Sequence, residues 1–426
     1  MNMQLAKGVR DIAPEEKIVK NQVITSLQKI FELYGFMPLE TPIIERYETL
    51  AAKGGAEEGS DCLKETFQLT DQGKRQLGLR FELTTSLARY VAMNPTLKLP
   101  FKRYEMGQVF RDGPIKLGRY RELWQCDIDT VGASSMLADA EIVAMAAAFF
   151  AEWKLDVVIK INNRKLLNGI MEQAGIKELK EAIIAIDKLD KIGVSGVSEE
   201  LAQRGYTQKQ IDALFSLLEP GVSLATLGPK MTSVEGMQGL AEVQELLKYV
   251  EGLDVNVVFD VSLARGQAYY TGTVFEAYLT KPGENEPKGS LAGGGRYDDM
   301  VGKFAGGGRV IPAVGISFGL EPIMDVLKAR NKVALKTRTR ALVLPINTQA
   351  ESFSIVQTLR AKGIAADIAL GKKGVSKNLE YASSLGIPYV VIVGEDELRA
   401  KKVLVRDMDS GEEKLLALDD AIKELR

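Results

Sequence analysis

The 426-residue sequence contains no histidine. That excludes imidazole as a general base, every histidine-ligated metal, and the serine–histidine and cysteine–histidine pairs of nucleophilic catalysis. Chemistry here must run on arginine, aspartate, glutamate, tyrosine, backbone amides and bound ions. Cysteine is nearly as scarce. Cys62 and Cys126 are the only two, too few for a disulfide framework or a four-cysteine metal site, and a reducing cytoplasmic compartment is expected. Long apolar runs are missing too. The most apolar stretch, Ile142 to Trp153, is too short to span a bilayer and reads as a buried helix. Met1 to Arg10 lacks the apolar core of a signal peptide. Nor is one sign of charge in excess: 55 Lys+Arg stand against 57 Asp+Glu. A polyanion would have to be met by local patches rather than by a global field.

What is present is ordinary for a soluble globular chain, 46% hydrophobic and 26% charged, and long enough for two or three domains. Apolar residues at helical spacing predict a helix over 15–34, ended by Gly35. Phe36 to Ile44 reads as extended and Thr84 to Ala92 as helical. Phe101–Arg111 and Gly118–Val131 read as two strands joined by a loop containing Gly113 and Pro114. A helix over 138–153 and a strand over 157–161 follow. Residues 165–250 turn helical and polar. Strand-like sequence returns at Val255–Ala264, Thr271–Leu279 and Pro312–Phe318, with a helix over Glu321–Ala329. After the basic linker Lys332–Arg340, strands at 341–346, 364–370 and 388–393 alternate with helices at 349–361 and 375–385, the pattern of a small α/β domain.

Two stretches carry chemistry. Arg265-Gly-Gln-Ala-Tyr-Tyr-Thr-Gly272 puts glycines where a strand would otherwise run. Gly266 and Gly272 suggest backbone brought close to something, such as a ligand, with Arg265 as a fixed cation for phosphate or carboxylate. Tyr269 and Tyr270 read either as ligand contacts or as an aromatic pair, one of them core. In the second stretch, alternation places Arg119, Arg121, Leu123, Gln125, Asp127 and Asp129 on one strand face. Such a face is either a solvated exterior or a ligand surface. Arg111, delivered to the same hairpin mouth, favours a triphosphate or an RNA backbone.

These motifs resemble those of histidyl-tRNA synthetases, members of the class II aminoacyl-tRNA synthetases. Phe110-Arg111 and Gly118-Arg-Tyr-Arg-Glu122 are similar to the second class II motif, Phe36-Met-Pro-Leu-Glu-Thr-Pro42 to the first, and Lys7-Gly-Val-Arg-Asp11 to the family's opening. Leu79-Arg-Phe-Glu-Leu-Thr-Thr85 resembles the stretch holding the substrate amino group. Arg265–Tyr270 and Gly294-Gly-Arg-Tyr-Asp298 resemble the two histidine-specific motifs. The resemblance covers nearly the whole chain. It implies an α+β fold: an antiparallel sheet flanked by helices, a helical insertion and a C-terminal α/β anticodon-binding domain. The implied bounds are 1–160 and 253–331 for the catalytic core, 161–252 for the insertion and 332–426 for the last domain. Arg111 and Arg265 would be catalytic at the α-phosphate. Glu82, Thr84 and Gln125 would hold the α-amino group of histidine, and Asp129, Tyr269, Tyr270 and Tyr297 would line the imidazole site. ATP would be gripped by Arg111, Arg119, Arg121, Arg265, Arg296 and Glu321, with Glu321 a ligand for Mg²⁺. The partners implied are tRNA(His), L-histidine, ATP and a second copy of the chain, with no membrane.

The chain departs from the family pattern where adenine and the outer phosphates are held. Gly113 stands for a glutamate, Leu123 for an aromatic residue, and Pro322 for the arginine that usually follows Gly319-Leu-Glu321. Arg296 or Arg309 substituting for that arginine is one expectation. Three functions are compatible with these residues: a histidine–tRNA ligase, a histidine-sensing regulatory subunit of ATP phosphoribosyltransferase, and an RNA-binding protein on the same scaffold.

Overall fold

A computed structural model of the chain describes residues 3–52, 61–115, 117–218, 221–254, 256–265, 269–306, 308–332, 335–371 and 374–426. Gly266 and the side chain of Cys62 lie outside the described part. The chain divides into two compact units, Met1–Arg10 with Val23–Arg330, and Asp11–Gln22 with Asn331–Arg426.

The first unit contains strands β1 (Met37–Pro38), β2 (Ile44–Arg46), β3 (Gln68–Thr70), β4 (Gln76–Leu79), β5 (Phe101–Phe110), β6 (Glu122–Val131), β7 (Val157–Asn163), β8 (Asn256–Phe259), β9 (Thr273–Leu279), β10 (Ala292–Arg296) and β11 (Ala313–Gly319). Eight of them form one sheet in the order β1-β5-β6-β11-β10-β9-β7-β8. The edge pairs β1–β5 and β7–β8 are parallel and all pairs between them antiparallel. β2, β4 and β3 make a small antiparallel sheet.

One face of the large sheet is apolar. The helix Met136–Glu152, started by Ser135 accepting the Leu137 N–H, buries Ile142, Val143, Phe149 and Phe150. Phe149 and Phe150 pack on Phe318 of β11 at ring separations of 5.3 and 6.0 Å. The stretch read as a buried helix is therefore one. Since side chains alternate along a strand, the neighbours of Phe318 turn the other way, and that second face is polar.

The expected hairpin forms, but its second strand starts at Glu122 rather than Gly118. Gly118 has a left-handed φ of +73° and the Arg121 N–H is taken by the Gly8 carbonyl, so 118–121 is drawn out of the sheet. Val255–Ala264 shortens similarly to β8, because Asp260 turns the chain by accepting the Ser262 N–H. Between β7 and β8 the chain is helical, with a core built on Leu166, Leu167, Ile170, Ala182, Ile186 and Leu214. A Cβ on Gly169 would lie 2.5 Å from Gly236 Cα, so helices Arg164–Gln173 and Val234–Val250 meet backbone to backbone.

The second unit carries β12 (Ala341–Pro345), β13 (Ala366–Ile368), β14 (Tyr389–Val393), β15 (Lys402–Asp407) and β16 (Glu413–Ala417), ordered β13-β12-β14-β15-β16. Its strand–helix alternation agrees with expectation up to β14. Two antiparallel strands and the helix Leu418–Glu424 follow.

Candidate active site

Strand register lays out the polar face. One row across the sheet holds Arg103, Asp129, Gly315 and Gly295, and the next holds Glu105, Asp127, Ser317, Gly293 and Glu276. A third holds Gly107, Gln125 and Gly319. The glycines are needed for space. A Cβ at Gly107 would strike the Arg80 guanidinium, at Gly315 the Asp129 carboxylate, at Gly293 the Arg265 guanidinium, and at Gly295 the Tyr270 ring. Functional side chains thus lie flat on bare backbone. Gly293→Ala should displace Arg265 while leaving the fold intact. A displacement of about 1 Å costs on the order of 100-fold in turnover, so activity should collapse with little change in melting temperature.

Arg265 is held from several sides. Its Nη1 lies 3.5 Å from Glu276 Oε1 and donates to the Phe275 carbonyl at 3.4 Å. Its guanidinium stands 5.6 Å from the centre of the Tyr270 ring. Burial alone would weaken its hold on the proton, but Tyr270 and Glu276 outweigh this, and its pKa is raised. The Arg265 carbonyl accepts from Arg164 at 2.9 Å, which anchors the backbone at this point. Burial pushes the pKa of Arg164 down to about 10.

Beside Arg265 the tyrosines converge. Tyr269 and Tyr270 have ring centres 4.6 Å apart, and Tyr269 meets Tyr297 edge-on at 6.2 Å. As expected, one of the pair is core: Tyr270 is buried in a hydrophobic cluster and Tyr269 only partly buried against it, but they do not sit on opposite faces of a strand. The strand begins only at Thr273, so both rings lie side by side. The Tyr297 hydroxyl donates to Asp129 Oδ1, while Asp129 Oδ2 lies 2.7 Å from Arg103. Burial raises the pKa of Asp129 against the pull of Arg103 and the Tyr297 hydrogen bond.

Glu82 accepts from the N–H groups of Thr84 and Thr85 at 2.7 and 2.8 Å and from the Thr85 hydroxyl. It thereby closes the start of the helix Thr84–Met93. Gln125 donates to Ser317 Oγ at 2.7 Å. At the hairpin mouth Arg111 donates to the Phe81 carbonyl at 3.2 Å and stands 4.5 Å from the Phe81 ring centre. Arg121 pairs with Asp112 at 2.9 Å, and Arg119 is exposed. The opening segment packs here as well, with Arg10 over the Tyr120 ring at 4.6 Å and Gly8 against the stem of Arg121.

Two expectations are corrected. Arg296 does not face Arg265. It alternates with Gly293 and Gly295 to the helical side of the sheet, where it pairs with Asp139 and donates to the Ala133 carbonyl at 2.9 Å. It is 3% exposed, so a phosphate could reach it only by dismantling that buried pair. Gly272 is close to something, but to the Arg296 stem, whose Cδ lies 3.0 Å from a Cβ placed there.

Two of the three departures from the family pattern, Gly113 and Pro322, have local reasons; nothing in the structure explains Leu123. A side chain at Gly113 would meet the Glu65 carboxylate at 2.6 Å. Pro322 sits in the first turn of the helix Leu320–Ala329, where its missing N–H costs nothing, and packs on Gly118 and Gly319. Glu321 is buried and accepts the Trp124 N–H at 2.8 Å, tying that helix to β6. Among the described residues no group of three or more carboxylates or cysteines could hold a metal ion by itself.

A histidyl-tRNA synthetase family model matches residues 8–323, and an anticodon-binding domain model matches residues 340–426. The chain belongs to the histidyl-tRNA synthetase family. It is 40% identical to histidine–tRNA ligase 1 of Bacillus cereus over 97% of both chains. It is 36% identical to histidine–tRNA ligase of Clostridium tetani, over 98% of this chain and 96% of that one. A crystal structure of histidyl-tRNA synthetase from a Nostoc species superposes with a TM-score of 0.85 at 32% identity, over 100% of this chain and 99% of the other. An ATP phosphoribosyltransferase regulatory subunit/histidyl-tRNA synthetase from Bacillus halodurans shares the fold at TM-score 0.75 and 22% identity, over 92% of this chain and 99% of that one.

Within this synthetase-family chain, sequence reasoning overlooked Arg80, Arg103, Arg164 and Ser317 as supports of the site. Asp127 was placed on the right face but given no role. Strand alternation could have found Arg103 and Ser317. Arg80 lies in the Leu79–Thr85 stretch but was given no role, and Arg164 approaches from outside the central strands with no local pattern to mark it.

Proposed function

We propose that the chain activates L-histidine with ATP to histidyl-adenylate and transfers it to tRNA(His). The observation that carries this is Arg265 laid over Gly293 beside the tyrosine cluster, with Arg111 at the hairpin mouth. In this reading the histidine carboxylate is the nucleophile. Arg111 and Arg265 neutralise the charge that builds at the α-phosphate as the carboxylate attacks. Glu82, Thr84 and Gln125 hold the α-amino group, and Asp129, Tyr269, Tyr270 and Tyr297 surround the ring. Fixed partners for ring nitrogens reject apolar amino acids, which would leave those partners unpaired. The terminal ribose hydroxyl of the tRNA then attacks the adenylate.

Arg119, Arg121 and Glu321 remain the proposed contacts for the rest of ATP, and Arg296 is dropped. Mg²⁺ commonly binds one or two carboxylates together with substrate phosphates. The lack of a carboxylate cage among the described residues fits an ion that arrives with the nucleotide, with Glu321 its protein contact. When bound, it makes pyrophosphate a better leaving group. Residues 332–426 would read the anticodon. Homodimerisation is supported by the exposed apolar residues Leu33, Met37 and Ile44 around the first motif. Cytoplasmic residence is proposed with it. Among the described residues no helix is long and apolar enough to cross a membrane.

The test is histidine-dependent exchange of labelled pyrophosphate into ATP, which needs no tRNA. Exchange that requires histidine is expected. Its absence, with histidine still bound, would favour a regulatory subunit, a reading to which Gly113 and Pro322 lend some support. Arg309, exposed after the helix Asp298–Ala305, remains the alternative for the lost third-motif arginine. If it serves so, Arg309→Ala should raise the KM for ATP about tenfold, the scale of one charge-assisted hydrogen bond, and leave the KM for histidine alone.

A further inference from the structure

The polar face contains a carboxylate that the reading above does not use. Asp127 is 3% exposed at the centre of the sheet. Four buried carboxylates, Glu82, Glu105, Asp127 and Asp129, share this face with two buried guanidiniums, Arg80 and Arg103. Arg80 pairs with Glu105 at 2.9 Å and Arg103 with Asp129 at 2.7 Å. Glu82 is engaged at the helix start. Asp127 has no cation within ion-pair distance among the described residues, and Arg103 acts on it only through space.

Its immediate neighbour is Ser317, directly opposite on β11. Ser317 Oγ accepts from Gln125 Nε2, so its single proton goes to Asp127. That short relay also sets the Gln125 amide with its nitrogen toward Ser317. Four acceptors on this face lack a hydrogen bond; Glu105 Oε2 and Asp129 Oδ2 lie within 3.8 and 2.7 Å of the Arg103 guanidinium, which leaves Gln125 Oε1 and Asp127 Oδ1, two residues apart, with no cation beside them among the described residues. Buried acceptors without donors are rare and costly in a native protein. A group that donates several hydrogen bonds and carries positive charge would satisfy both.

We infer that Asp127 binds the α-ammonium group of the amino-acid substrate, as the charged partner beside Gln125. This rests on the proposed histidine activation and adds a residue to that same site. Asp127 then acts in selection. It demands a cationic amino group and disfavours acids that lack one. Burial raises the pKa of Asp127 to about 8, against the pull of Arg103. The charged and titratable groups facing it are Arg103 and Glu105 from β5, Asp129 from β6, Glu82 beside the helix Thr84–Met93, and Tyr269. At neutral pH the free protein therefore carries a proton on Asp127, and an arriving ammonium displaces it. Affinity should rise with pH until about 8 and fall at higher pH as the ligand's own ammonium group loses its proton.

The experiment is calorimetric titration of the full-length protein at pH 7 with L-histidine and with imidazole propionate, its analogue without the amino group, in two buffers of different ionisation enthalpy. Wild type should release about one proton more with histidine than with the analogue, as linkage of a displaced proton requires. Asp127→Asn should bind histidine about 10- to 100-fold more weakly, the range for a lost hydrogen bond to a charged group, bind the analogue unchanged, and lose the extra proton release. Equal weakening for both ligands would overturn the assignment, as would unchanged histidine affinity. If the variant does not fold, the wild-type proton difference decides, and no difference overturns it. Wild type that binds neither ligand would instead refute the histidine reading itself.

Discussion

Arg265→Ala should lower the turnover of histidine-dependent pyrophosphate exchange by about 100- to 1000-fold, the usual loss for one preorganised group that stabilises transition-state charge. The reason lies in how the side chain is mounted. It rests on the bare backbone of Gly293, is steadied by Glu276 at 3.5 Å and the Phe275 carbonyl at 3.4 Å, and is anchored through Arg164. A cation held this way reorganises little when the carboxylate attacks. The KM for histidine should change by much less than turnover, because Tyr297 and Asp129 hold each other and Asp129 also pairs with Arg103, contacts the Arg265 guanidinium does not supply. Arg265→Lys should recover only a small part, since a point charge cannot keep both contacts. Steady-state exchange at saturating ATP checks this, with thermal melting as the control for folding. A loss under tenfold, or one confined to KM, would remove Arg265 from the chemistry.

Arg296→Ala should act on stability instead. Asp139 is fully buried in the helix Met136–Glu152, and Arg296 is the guanidinium that answers it. Breaking a buried pair on one side typically costs about 3–5 kcal/mol. Denaturant unfolding should show this loss, while the KM for ATP of the folded fraction stays at the wild-type value. Replacing both partners with apolar residues of similar size should restore most of the stability. The pH dependence has a definite sign. Burial raises the pKa of Asp139 even with Arg296 in place. Without Arg296 the folded form holds a proton that the unfolded chain releases above about pH 4. The unfolded chain is common to both proteins, so the deficit should be smallest where wild-type Asp139 is itself protonated and should grow as pH rises through the wild-type Asp139 pKa. A raised KM for ATP without loss of stability would return Arg296 to the nucleotide site.

Much of this was legible in one dimension, where the signal is local. The periodic helix over 15–34, the apolar helix after Ser135, the β5–β6 hairpin and the strand–helix alternation from 341 each declare themselves in a window of about a dozen residues. The motif residues Arg111, Glu82, Gln125, Asp129, Arg265 and Tyr297 were readable too, and alternation alone put Gln125, Asp127 and Asp129 on one face. Register was not readable, because strand pairing is set by partners outside any local window, as when β11 pairs with β6 almost two hundred residues earlier. Only the folded sheet sets Gly293 under Arg265, Gly315 under Asp129 and Ser317 against Asp127. Arg296 shows the same limit. Its motif marked it as a ligand contact, but pairing of β10 with β11 turned it to the helical side, where Asp139 awaited it. The sequence thus determined which residues carry charge and which elements bear them, since propensity and periodicity act between neighbours in the chain. Which charges meet, which are compensated and which are left to a ligand is decided by side-chain direction and burial, and those exist only once the sheet has closed.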